Sequence, residues 1–152
     1  MFMKKIGIIL FVSLLLLVGC TTKEESGVLT CTRTAKQGNI DLSLNYKIAY
    51  TGEYVNTIET TEIVKSEDQN TLNLYKTQLE NVYDPYKSID YYENEVTIEG
   101  DTLTSKTKID YEHINVDDLI EIDSANEQIL KDGKARVSDF RSMYESIGAS
   151  CK

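Results

Sequence analysis

Tryptophan is absent from this 152-residue chain, proline and histidine occur once each, and there are three cysteines. Each scarcity excludes something. A single histidine, His113, leaves no partner for a multi-histidine metal centre, and no G-x-S-x-G sequence offers it a nucleophile to activate. His113 is expected as an exposed side chain at a strand end. No C-x-x-C occurs, which removes the zinc-ribbon and thioredoxin-type motifs. A glycine-rich phosphate loop and the EF-hand spacing are missing as well. One proline and no biased segment exclude a proline-rich stalk. The motifs therefore point to no metal and no cofactor.

Basic charge is also scarce. The chain has 16 Lys and Arg against 25 Asp and Glu, a net −9. Its first 19 residues hold two lysines and no acid, so residues 20–152 carry 14 basic and 25 acidic groups, a net −11. Phosphates repel such a surface, which excludes nucleic acid as a partner. The acids are scattered rather than blocked and read as a solvated surface. A site for cations or basic ligands is the sharper alternative.

No apolar run is long enough to span a bilayer. Lys4 and Lys5 precede Ile6 to Val18, 13 residues interrupted by Gly7 and Ser13. At 1.5 Å per residue this covers roughly 20 Å, short of the ~30 Å hydrocarbon core. A basic start and a short apolar stretch describe an export signal. Its end, Leu17-Val18-Gly19-Cys20, resembles the bacterial lipobox, with Val18 in place of the usual small residue. That resemblance implies cleavage after Gly19 and lipidation of Cys20. The expected organisation is a signal peptide over 1–19, a lipidated Cys20 with a polar tether over 20–27, and one domain over 28–152. The expected location is the cell membrane, lipid-anchored on its extracytoplasmic face.

With Cys20 assigned to lipid, Cys31 and Cys151 remain, one near each end of the domain. Export permits a disulfide, and two cysteines allow one pairing within the chain. A redox pair or a metal site is the competing reading, without a C-x-x-C to support it.

The domain's periodicity changes along its length. Ile40, Leu42, Leu44, Tyr46, Ile48 and Tyr50 alternate with mostly polar residues, the pattern of a half-buried antiparallel strand. The preceding segment is β-rich and ends in Gly38-Asn39, so the two should form a hairpin. "YVNTIETTEIVK" follows as a third strand, whose polarity places it near an edge or makes it bulged. Ser66 and Gln69 then fit a capping box. Leu72, Tyr75, Leu79, Val82 and Tyr83 share a helical face, and Pro85 ends the helix. A second hairpin turns at Gly100-Asp101, placing Ile98 opposite Leu103 and Tyr92 opposite Ile109. Asn115 should cap a short helical turn. Ser138 should cap a last helix carrying Phe140, Met143, Tyr144 and Ile147, with Gly148 stopping it. The order βββ-α-ββ-α predicts an α+β fold, an antiparallel sheet with its helices packed on one face.

This order, together with the lipobox, "VTIEGDTLTSKTKIDYEHINVDDL" and the closing "MYESIGA" helix, resembles the YehR-type bacterial lipoproteins over nearly the whole exported chain. The resemblance implies a small exported lipoprotein of this layout. It implies no activity and transfers no functional residue.

Tyrosine is the aromatic that remains. "VYDPYKSIDYY" gathers Tyr83, Tyr86, Tyr91 and Tyr92 between the first helix and the second hairpin. Packing is the plain reading; a recognition patch made by the exposed members is the functional one. The expected function is non-enzymatic: a membrane-anchored envelope protein binding another envelope component or a small ligand. The alternative is an exported hydrolase using acidic residues, which requires two carboxylates facing each other across a cleft.

Overall fold

Three long strands of twelve residues each open the domain, the middle one regularly alternating apolar and polar residues: β1 (Ser26–Gln37), β2 (Ile40–Thr51) and β3 (Tyr54–Lys65). The computed structural model describes residues 24–152; Cys20 and the expected signal lie outside the described residues. Helix α1 (Gln69–Tyr83) and a 3-10 turn (Asp84–Ser88) lead to the hairpin β4 (Tyr92–Glu99) and β5 (Thr102–Asp110). Helix α2 (Val116–Ile122), two 3-10 turns, α3 (Val137–Ser146) and the two-residue β6 (Ser150–Cys151) complete the chain. The six strands form one sheet in the order β4-β5-β3-β2-β1-β6, every pair antiparallel. The architecture is the expected α+β one. Among the described residues no helix is long and apolar enough to cross a membrane.

Both hairpins keep the expected register. Gln37 pairs with Ile40 around Gly38-Asn39, and Ile98 pairs with Leu103 around Gly100-Asp101. Gly38 and Gly100 have φ of 62° and 61°, the left-handed conformation such two-residue turns require. Strand β1 begins at Ser26, inside the segment expected as tether, because Ser26 and Gly27 pair with Thr51 and Tyr50. Gly27 is fitted to that place: a Cβ there would meet the Tyr50 hydroxyl at 2.5 Å.

Strand β3 is not an edge. It lies between β2 and β5, with Thr57, Glu59 and Thr61 on the sheet's uncovered face. It is bulged, as its polarity also suggested. Ala49 pairs with Thr57 and Tyr50 with Val55, which leaves Asn56 as the extra residue.

The helix starts differ from those expected. Asp68, not Ser66, caps α1: its side chain accepts from the Asn70 N–H at 3.0 Å and the Thr71 hydroxyl at 2.7 Å. Ser66 is buried and accepts from the Asp68 N–H at 3.2 Å, while Gln69 reaches the Gly100 carbonyl at 2.8 Å instead of closing a capping box. Helix α3 starts one residue before Ser138, capped by Arg136 without a side-chain hydrogen bond. Asn115 does cap α2. Val82 and Ile147, expected on buried helical faces, are exposed.

One face of the sheet is covered, and its core is divided. The larger cluster joins Leu29, Ile48, Ile58, Leu119 and Phe140 beneath α2 and α3. The smaller joins Val64, Leu72 and Leu103 beneath α1. The covered face carries both clusters and a polar band between them.

Candidate functional site

The polar band follows directly from strand register. On the covered face of β3 the alternate residues are Ile58, Thr60, Glu62 and Val64: apolar, polar, polar, apolar. Their neighbours continue the pattern. Thr60 lies between Tyr46 of β2 and Thr107 of β5, and Glu62 between Leu44 and Ser105. Asn94 of β4 completes the first row, opposite Thr107. Ser105 and Thr107 are buried. The Asn94 amide donates to the Thr107 hydroxyl at 2.8 Å and to the Ser105 hydroxyl at 3.4 Å.

Two helices lean tyrosines over this band. Tyr144 of α3 stacks on Tyr46, ring centroids 3.9 Å apart and planes 21° from parallel. Tyr83, the last residue of α1, directs its hydroxyl toward Thr107 and Ser105. Glu62 sits among these rings. Burial raises its pKa, and no Lys or Arg lies within ion-pair distance of it among the described residues. The same burial, reinforced by the Glu62 charge, raises the Tyr46 and Tyr83 hydroxyls. Tyr144 is raised by burial and then by its proximity to Tyr46. Tyr46 and Tyr144 are buried, whereas Glu62 and Tyr83 retain partial access to solvent, as does Arg33 of β1, which stands opposite Leu44 and whose charge offsets part of the rise at Tyr46. The band is a polar floor with a half-open carboxylate, suited to holding a cationic or hydrogen-bond-donating group. No step of covalent catalysis follows from it.

The four tyrosines singled out by sequence separate into different roles. Tyr83 joins the band. Tyr86 and Tyr92 stack on each other at 4.9 Å and pack against the larger core cluster. Tyr91 is 53% exposed, has a left-handed φ of 67°, and stacks on His113 at 5.2 Å. They are neighbours without forming one exposed patch. Glu62 was missed by the sequence reading. Its signal was present: a carboxylate at the apolar phase of a strand that otherwise reads Ile58, Val64.

Two other places hold chemistry-bearing groups. At the end of β5, Asp110, Glu112 and His113 come together. His113 is exposed, as expected, but its Nδ1 lies 2.8 Å from Asp110 Oδ2. Burial raises the Asp110 carboxyl, yet hydrogen bonds from His113 and from the Glu112 N–H outweigh it and hold it below the usual value. On the uncovered face, a depression of about 380 Å³ is lined by Glu59, Glu93, Glu95, Lys106 and Lys108. There Glu93 faces Lys108 and Glu95 faces Lys106 in register, and Glu59 flanks Lys108 from β3, so cross-strand pairs offset all but one of the acids, as on a solvated sheet surface.

Cys31 and Cys151 form the disulfide, paired directly across β1 and β6.

The class these features define is a six-stranded antiparallel sheet with one face roofed by helices and a terminal strand locked by a disulfide. No protein-family model and no curated protein matches the chain. Among solved structures it is similar to the NMR structure of the YehR protein of Escherichia coli, with 16% identity and a TM-score of 0.56 over 85% of this chain and 91% of that one. It is also similar to the NMR structure of a protein from Streptococcus pneumoniae TIGR4, with 13% identity and a TM-score of 0.52 over 99% of each. The chain has a YehR-like fold.

Proposed function

We propose that this protein is a lipid-anchored, non-enzymatic binding protein on the extracytoplasmic face of the cell membrane, and that it holds an envelope component or small ligand at Glu62. Lipidation at Cys20 is the anchor. Two acyl chains contribute ~0.8 kcal/mol for each buried CH₂, enough for stable retention. Five residues lie between Cys20 and Ser26, a maximum reach of roughly 20 Å over six steps of ~3.5 Å. The end of the sheet carrying the β2–β3 turn, Tyr91 and His113 therefore lies toward the bilayer.

The observation that carries the binding reading is Glu62 itself. A half-buried carboxylate with no cation at ion-pair distance, between tyrosine rings and strand hydroxyls, is costly to stability and is retained where something pairs with it. The net −11 of residues 20–152 favours a cationic partner. Hydrolysis by paired acids is the weaker reading, because the rise in the Glu62 pKa has burial as its cause and no second carboxylate contributes to it.

Crosslinking in intact cells, followed by recovery of the protein, tests this. Wild type should retain one stoichiometric partner or ligand that Glu62→Gln loses while remaining folded and membrane-bound. An unchanged partner profile in Glu62→Gln overturns the binding site. Cys20→Ala should leave the membrane fraction after a high-salt wash; retention there overturns the anchor.

A further inference from the structure

Asp110, Glu112 and His113 each place a donor atom within 4.8 Å of the other two. We infer that these three side chains bind a divalent transition-metal ion of the zinc class. The site is separate from Glu62: Ser105, the β5 neighbour of Glu62, is five residues from Asp110, roughly 17 Å along an extended strand at ~3.3 Å per residue.

Three independent features support it. First, the donors are positioned from outside their own segment. Asn56, the residue expelled by the β3 bulge, donates its side-chain amide to Glu112 Oε1 at 2.5 Å. Tyr91, on the far side of β5, lays its ring against His113 through a left-handed backbone that tyrosine rarely adopts. Second, the charge is unbalanced. Among the described residues no lysine or arginine lies within ion-pair distance of Asp110 or Glu112, and the one ion pair either of them makes is that of Asp110 with His113. Third, there is space for further ligands. Glu112 and His113 are exposed, and an open depression of about 470 Å³, with Glu24, Asn56, Tyr54 and Lys134 in its wall, adjoins the cluster on its Glu112 side. Water or an atom of a bound molecule can complete the coordination there.

Donor chemistry selects the ion. Calcium and magnesium take all-oxygen shells, whereas one imidazole with two carboxylates suits zinc and its neighbours. Coordination through Nδ1 replaces its 2.8 Å contact with Asp110 by two bonds to one ion. The neutral ring then carries its proton on Nε2, so binding releases no proton from neutral imidazole and one from imidazolium.

His113 is the chain's one histidine, which makes its imidazole resonances a direct readout. The full chain, in detergent micelles and without a polyhistidine tag, is titrated with Zn²⁺ and followed by NMR. The His113 signals should shift and saturate at one equivalent. His113→Ala and Glu112→Gln should each weaken Zn²⁺ affinity at least ~tenfold by calorimetry, about 1.4 kcal/mol, with unchanged circular dichroism. Resonances that stay fixed in excess Zn²⁺, or unweakened binding in both variants, overturn the site. Displacement of Zn²⁺ from His113 by equimolar Ca²⁺ overturns the choice of ion.

Discussion

Cys151 stands directly opposite Cys31 in the sheet, and their sulfurs are bonded although 120 residues separate them. Thr30 and Lys152 exchange both backbone hydrogen bonds at 2.9 Å on one side of the pair. The terminal strand is two residues long, so these bonds alone hold it weakly. The disulfide ties the C-terminal end of α3 to β1 and seals that end of the core, where Cys31 is fully buried.

Replacing both cysteines by serine should therefore lower stability substantially. The chain-entropy model gives ~5 kcal/mol for a loop of this size, with less expected in practice. Urea unfolding of the double variant, compared with wild type under oxidising conditions, measures it. Reduction of wild type should reproduce most of the loss.

Leu72 and Val82 lie on the same helix and were expected to share its buried face, but they should behave oppositely. Leu72 has no exposed surface and locks α1 onto Val64 and Leu103. Leu72→Ala should cost about 2–5 kcal/mol. Val82 is 59% exposed, so Val82→Ala should change stability by less than about 0.5 kcal/mol. Denaturant midpoints of the two variants give the comparison.

Asp68 is the residue that satisfies the first turn of α1, so Asp68→Ala should lower stability. Its carboxyl lies below the ordinary value because of hydrogen bonds from Thr71 and Asn70. A depressed carboxyl contributes its stability above the unfolded pKa and loses it as pH falls through the folded one. The cost of Asp68→Ala, measured by urea unfolding across pH, should therefore shrink on acidification.

The hairpins were legible because period-two alternation and a glycine turn fix register locally. Caps were less so: Ser66 and Asp68 both have capping side chains, and Ser66 is held outside the helix by its backbone N–H donating to the Asp101 carbonyl in the β4–β5 turn at 3.0 Å. Strand β6 is too short to carry a period. The polarity of β3 left an edge and a bulge open, and the bulge is what the strand has; polarity alone does not distinguish an edge from a central strand with polar residues on both faces. The tyrosines were legible as a cluster but not as contacts, since Tyr91 and Tyr92 point to opposite sides of one strand start. Glu62 violated the apolar phase of β3 in plain view, but its meaning depends on tyrosines contributed from β2, α1 and α3. The approach of His113 to Asp110 is created by the turn after β5, and nothing in the three-residue spacing specifies it.

Glu62 gives the sharpest pH prediction. Its carboxyl is raised by burial, so the folded protein binds that proton more tightly than the unfolded chain does. Stability from this group is present below the unfolded pKa and falls as pH rises through the folded one. Glu62→Gln removes the ionised state while keeping shape and hydrogen-bonding capacity. It should raise the melting temperature by a few degrees at neutral pH, and the gain should disappear below about pH 4, near the ordinary glutamate value. Parallel thermal melts of both proteins across pH 3–8 provide the measurement. A cationic ligand seated at Glu62 should stabilise wild type more as pH rises and leave Glu62→Gln unmoved. If Glu62→Gln is destabilising at neutral pH instead, the carboxylate is already paired within the fold and is not a vacant seat for a ligand.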